Sequence, residues 1–117
     1  MRTQARARFL RHSPYKMRRV TDLVRGKPVS EARHLLAAVN RGAAPAILKV
    51  LNSAVANAEN NLELDPDDLT VEAAYVDEGP TLRSYRARAR GRVARIRKRT
   101  SHLTIVVADS EYDGEEI

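Results

Sequence analysis

A chain of 117 residues, 43% of them hydrophobic, can close one modest core but not two. It has no cysteine, which removes thiolate zinc sites, thiol catalysis and disulfides, and no apolar run approaches the length of a membrane span. Its 21 Lys and Arg against 15 Asp and Glu leave a formal net charge of +6, which points to a polyanionic partner.

Gln4 to His12 alternates, with Ala5, Ala7 and Phe9 on one face and Arg6 and Arg8 on the other, and so predicts a half-buried strand with a cationic side. Ser13 as N-cap, Pro14 at the first helical position and Gly26 as a stop then predict a helix over Pro14 to Arg25. Met17, Val20, Leu23 and Val24 form its apolar face, leaving Lys16, Arg18, Arg19 and Arg25 to solvent or a partner. A short helix over about Ser30 to Val39 carries Ala32, Leu35, Leu36 and Val39 at helical spacing. The clearest helix runs from about Ala44 to Asn60, with Ile47, Val50, Leu51, Ala54, Val55 and Ala58 as an apolar stripe and "DPDD" in the exit loop.

Beyond that loop the period becomes two. "LTVEAAYV" and "SHLTIVVA" read as strands, and the stretch Arg83 to Arg99, with nine basic side chains in seventeen positions and no acid, lies between them. If the strands pair antiparallel, the connection turns near Ala87 to Arg90, and the basic stretch becomes the far end of a long hairpin. At about 3.3 Å per residue, each arm reaches on the order of 30 to 40 Å. Gly79 and Pro80 bend the outgoing arm, since proline cannot donate to a ladder.

Charge follows the same division. Met1 to Lys27 holds nine basic residues and one acid, Asp22, whereas everything outside these two regions holds only Arg33, Arg41 and Lys49 against fourteen acids. Only Lys16, Lys27, Lys49 and Lys98 are lysine. Arginine offers planar, bidentate phosphate contacts and stacks on bases, so the composition favours nucleic acid. The chain's beginning lacks the apolar segment of a secretory signal, which leads to the expectation of a cytoplasmic protein.

Other chemistries find little support. His12, His34 and His102 are widely separated, as packing or surface histidines usually are, although His102 stands at the edge of the basic stretch. Asp65, Asp67 and Asp68 lack the ligand spacing of a calcium loop, and no phosphate-cradle fingerprint surrounds Gly91. Tyr85, Val93 and Ile96 are too few to form a membrane-seeking face. No nucleophile, base and oxyanion donors assemble into an active site, and no cofactor or metal is implied. A free nucleic-acid chaperone or a DNA-binding protein remains the alternative, but the alternation and Gly91 do not suit a recognition helix in a major groove.

"SPYKMRRVTDLVRGKPV", "KVLNSAVANAENN", "YVDEGPTLRS" and "RARGRVARIRKRTSHLTIVV" together resemble the bacterial large-subunit ribosomal protein number twenty-two family, colinearly from about Ala5 to Val107. The resemblance implies an α+β fold, with a small three-stranded antiparallel sheet packed against three helices and a long projecting β-hairpin. It implies one domain with a base of about 3–78 and 100–109, a basic hairpin of about 79–99 and an acidic tail, 110–117. The implied function is structural and not enzymatic: in the cytoplasmic large subunit the base binds 23S-type rRNA, and the hairpin lines the nascent-peptide exit tunnel. The residues carried over as rRNA-binding are Arg6, Arg8, Arg11, Lys16, Arg18, Arg19, Arg25 and Lys27 in the base. In the hairpin and its root they are Arg83, Arg86, Arg88, Arg90, Arg92, Arg95, Arg97, Lys98, Arg99, Ser101 and His102. Arg86, Ala87, Arg88, Ala89, Arg90 and Gly91 are expected at the tunnel wall. The partners implied are rRNA, neighbouring large-subunit proteins and the nascent peptide, with no membrane and no homo-oligomer. Two positions depart from the family pattern: Ser84 replaces a basic residue and Ala87 a common proline, while Arg86 and Arg90 supply compensating charge.

Overall fold

The computed structural model describes residues 1–39, 42–80, 82–87 and 93–109, with 82–87 and 93–98 described by their backbone alone. The elements run β1 (Arg2–Leu10), α1 (Pro14–Val24), α2 (Val29–Ala38), α3 (Ala44–Leu62), a one-turn 3₁₀ helix (Pro66–Asp68), β2 (Thr70–Glu78), β3 (Leu82–Ala87), β4 (Val93–Lys98) and β5 (Ser101–Ala108). Strands β1, β5 and β2 form a three-stranded sheet in that order, both pairs antiparallel, and β3 pairs with β4 in a separate two-stranded ribbon.

The three helices cover one face of the sheet. Ile47, Leu51, Ala54, Val55 and Ala58 of α3 meet Leu103, Ile105 and Val107 of β5 and Met17, Val20 and Val24 of α1 in a single buried cluster. The expected α3 stripe is buried throughout. Each large side chain removed from water contributes on the order of 1.5 to 3 kcal/mol, and this cluster is the main support of the base. The helix continues two residues past the expected end and stops where Glu63 turns left-handed at φ 55°.

Two expectations about faces change. On α1, after the buried Pro14, the buried set is Met17, Val20, Thr21 and Val24, at the spacing i, i+3, i+4, i+7, whereas Leu23 is 47% exposed. Thr21 is tolerated inside because its hydroxyl donates to the Arg18 carbonyl at 3.2 Å. On β1, Phe9 does not join Ala5 and Ala7. A bulge between Ala7 and Leu10 puts Phe9 at φ 59° and 60% exposed, and Leu10 takes the position against the core.

The helix boundaries hold by means partly different from those expected. Ser13 occupies the N-cap of α1 without a side-chain capping bond, and Pro14 fills the first turn. Gly26, at φ 82°, does more than stop the helix. Its N–H donates to the Val71 carbonyl at 2.8 Å, the Val71 N–H returns to Lys27, and the Val29 N–H reaches Leu69. A short extended run thereby ties the α1–α2 connection to β2. The "DPDD" loop is closed by the Asp65 carboxylate, which accepts the Asp67 N–H at 3.0 Å. Among the described residues no group of His, Cys, Asp or Glu could hold a metal, and no helix is long and apolar enough to cross a membrane.

Candidate nucleic-acid interface

The ribbon β3–β4 continues the pair β2–β5. Glu78 lies opposite Ser101 and Leu82 opposite Lys98, so residues 79–81 going out face only residues 99 and 100 coming back. The extra outgoing residue is accommodated at Gly79, whose N–H donates to the Thr100 carbonyl at 3.0 Å. A Cβ on Gly79 would stand 2.5 Å from the Thr100 hydroxyl oxygen, so only glycine lets the arms approach this closely. Thr100, 2% exposed, donates that hydroxyl to the Pro80 carbonyl at 2.6 Å. The root of the hairpin is therefore locked from both arms.

The next two residues lock the root to the base. The Ser101 hydroxyl, fully buried, donates to the His12 carbonyl at 2.6 Å. His102 Nδ1 accepts the Phe9 N–H at 3.1 Å, and the Phe9 ring meets the imidazole edge-on, 4.9 Å between centroids at 87°. The bulge in β1 thus serves a purpose: turning Phe9 out aims its N–H at β5. Because Nδ1 accepts, the neutral ring carries its proton on Nε2. Ser101, expected to touch rRNA, is buried in the chain itself, with its hydroxyl committed to the His12 carbonyl. His102, half-buried, stands at the root.

The expected cationic side chains of the base fall into two groups. Arg6, Arg8, Arg11, Lys16, Arg19, Lys27 and, at the hairpin's return, Arg99 are exposed. Arg18 and Arg25 are exposed as well, but are partly committed within the chain. Arg18 donates through Nε and one terminal nitrogen to the Val76 carbonyl, at 3.2 and 2.8 Å, and Arg25 donates to the Ala74 carbonyl at 2.8 Å and to Asp22 at 2.6 Å. Both brace α1 against β2, and their remaining N–H groups are what a partner could use.

On the helical side, His12, Tyr15, Lys16 and Arg19 gather with Gly42 and Ala43 around a cavity of about 320 Å³. The Arg19 guanidinium lies 5.8 Å from the centroid of the Tyr15 ring, which is 67% exposed. Helix α3 begins beside this cavity without a side-chain cap and without an acid in its first turn, so its positive end adds to the cationic field. Arg6 and Lys49 border a smaller cleft of about 190 Å³ between β1 and α3.

In the hairpin, Arg83, Arg86, Arg95, Arg97 and Lys98 lie on the paired arms, with Arg83 set opposite Arg97 and Tyr85 opposite Arg95. Like charges in register oppose pairing, so the ribbon gains from an anion between or along its arms. Ala87 closes the paired segment opposite Val93. Arg88, Ala89, Arg90, Gly91 and Arg92, and the tail 110–117, lie outside the described residues.

Pattern reading passed over Thr100, whose hydroxyl closes the root, and Tyr75, which is 55% exposed. Thr100 carries the signal of standing in "RTSH", three consecutive hydrogen-bonding side chains at the mouth of a charged run.

Comparison with known proteins agrees with this arrangement over nearly the whole chain. Residues 5–108 match the family described as ribosomal protein L22p/L17e, a span that takes in base and hairpin alike. Large ribosomal subunit protein uL22 of Desulfitobacterium hafniense is 54% identical over 108 residues, covering 92% of this chain and 95% of the relative. The protein of the same name from Staphylococcus aureus is 49% identical over 116 residues, 99% of each chain.

Proposed function

The chain belongs to the ribosomal protein L22p/L17e family, and from that premise we propose that its base binds large-subunit rRNA while its basic hairpin lines the nascent-peptide exit tunnel. It is a structural protein of the large ribosomal subunit, not an enzyme, and its place is the cytoplasmic ribosome. The observation that carries the finer reading is the rooted ribbon. Two arms bearing five basic residues extend from the sheet on a root held by Gly79, Thr100, Ser101 and His102.

Such a construction suits RNA for a physical reason. A two-stranded ribbon with Arg opposite Arg in register is marginal by itself, and a polyanion supplies both neutralising charge and a surface to lie against. The exposed Arg6 and Arg8 sit on β1 and Lys16 and Arg19 on α1, with Arg11 in the bend between them, so those on the two elements already held by the core lose little freedom on docking and act as the anchor. The arms and the tip segment 88–92 act as the probe. Neighbouring large-subunit proteins and the nascent peptide are the further partners.

Binding of the full chain to large-subunit rRNA tests this reading. Log affinity should fall against log salt with a slope of about −4 to −8, as six to nine phosphate contacts require. A slope near −1 would sink it. Sedimentation of the tagged protein with large subunits separates it from a free nucleic-acid chaperone or DNA-binding protein, which would stay in the supernatant.

A further inference from the structure

Among the described residues, the helices cover one face of the three-stranded sheet and no element packs on the other. The bulge between Val71 and Ala73 decides what that open face presents. It turns Val71, Ala74 and Val76 inward and sends Tyr75 outward, where it is 55% exposed and has no hydrogen-bond partner among the described residues. Across the sheet, Tyr75 lies opposite Thr104, and Thr104 opposite Arg6, so one row reads aromatic, hydroxyl, guanidinium. In the next row Ala73, Val106 and Gln4 are aligned. Beside Tyr75 is a hollow of about 370 Å³, lined by Arg2, Thr3, Gln4 and Val106 as well as the tyrosine.

Charge is graded across this face. The β1 edge carries the exposed Arg2, Arg6 and Arg8, the centre is neutral, and the acids Glu72 and Asp77 lie on β2, with Asp77 opposite His102. A protein partner would call for more apolar surface than one tyrosine and a nearly buried valine offer. A single strand of RNA needs a ring to stack on and cations along one side, and this face has both.

We propose that the open face is a second RNA contact of the base, on which an unpaired nucleotide stacks its base against Tyr75, in the hollow beside Gln4, with its phosphates along the β1 edge. The inference rests on the reading of the chain as an rRNA-binding protein and adds to it a face, a residue and a substrate class: unpaired rather than duplex RNA.

The test uses the full chain, an oligoadenylate of about ten nucleotides and a duplex RNA of the same length. Tyr75→Ala should weaken the oligoadenylate about tenfold without changing the salt slope, because stacking releases no counterions. Tyr75→Phe should bind as the parent does, and neither variant should alter duplex binding. Arg6→Gln should flatten the slope by about one. Because Tyr75 is an exposed surface residue, its variants should keep the parent's circular dichroism. Oligoadenylate bound equally by Tyr75→Ala and the parent would overturn the proposal. In assembled large subunits, ultraviolet cross-linking should leave a nucleotide adduct on the peptide bearing Tyr75. A link from that peptide to a protein, whether a neighbour or this chain's own acidic end, overturns stacking but leaves rRNA binding standing. Absence of the parent chain from large subunits overturns both.

Discussion

Strands β2 and β5 run on into β3 and β4 as one long antiparallel pair, yet its two halves are held by different means. Near the base a third strand flanks the pair and three helices bury its inner face, so Leu103, Ile105 and Val107 are fully enclosed. Beyond Gly79 and Thr100 the same pairing continues as a two-stranded ribbon with Arg83 set against Arg97. The base is stable because of what it buries. The ribbon is placed because of what it grows from, and two paired strands are marginal by themselves, so under the proposed function a polyanion is what would steady it. Stability and binding should therefore separate along the chain.

The sharpest way to break that comparison is to damage the base. Ile47→Ala opens a cavity against α1 and β5 and should cost about 2 to 5 kcal/mol in chemical denaturation, with no change in the salt slope of whatever folded protein remains. A cost below 1 kcal/mol would mean that the core is not the support described. At the boundary between the halves, Gly79→Ala forces a methyl group onto the Thr100 hydroxyl and should cost about 1 to 3 kcal/mol, read as a lowered midpoint. An unchanged midpoint would show that the two arms are not so closely joined.

Ser101→Ala removes the tie to the His12 carbonyl. The bond is only partly buried, so the loss should be about 0.5 to 1.5 kcal/mol, and rRNA affinity should fall only as far as the root loosens. Smallest of all, Arg86→Ala on β3 should move stability by less than about 0.5 kcal/mol while reducing the salt slope by about one. A large stability effect there, with no change in slope, would make the ribbon part of the core rather than a probe.

Most of this division could be read from the residues because periodicity and punctuation agree wherever the core decides. The α3 stripe from Ile47 to Ala58, the strand Ser101 to Ala108 and the Gly79–Pro80 break all follow from patterns that only one packing satisfies. The misread face of β1 has an identifiable cause. A bulge inserts a residue that no composition rule marks, and it reverses the faces beyond it. On β1 it sends Phe9 out and Leu10 in, and on β2, where the sequence pattern assigns no faces, a second bulge sends Tyr75 out with Ala74 and Val76 in. Leu23 shows a milder version, since its apolar character predicted burial at a position about 110° from the centre of the buried face. Among the cations, charge alone could not tell Arg19, exposed over Tyr15, from Arg18 and Arg25, which reach carbonyls of β2. Separating them requires knowing that β2 passes alongside α1.

The central claim is that a rigid base anchors and a ribbon probes, and incorporation into large subunits tests it most directly. Two variants of the full chain are compared with the parent by mass spectrometry of purified subunits. One has Arg8, Lys16 and Arg19 replaced by alanine, and the other has its hairpin shortened by deletion of Leu82 to Ser84. The account predicts that the shortened hairpin remains in subunits at close to the parent's level, with its tip displaced when viewed by cryo-microscopy, whereas the base variant is depleted. Depletion of the shortened hairpin with full retention of the base variant would contradict it.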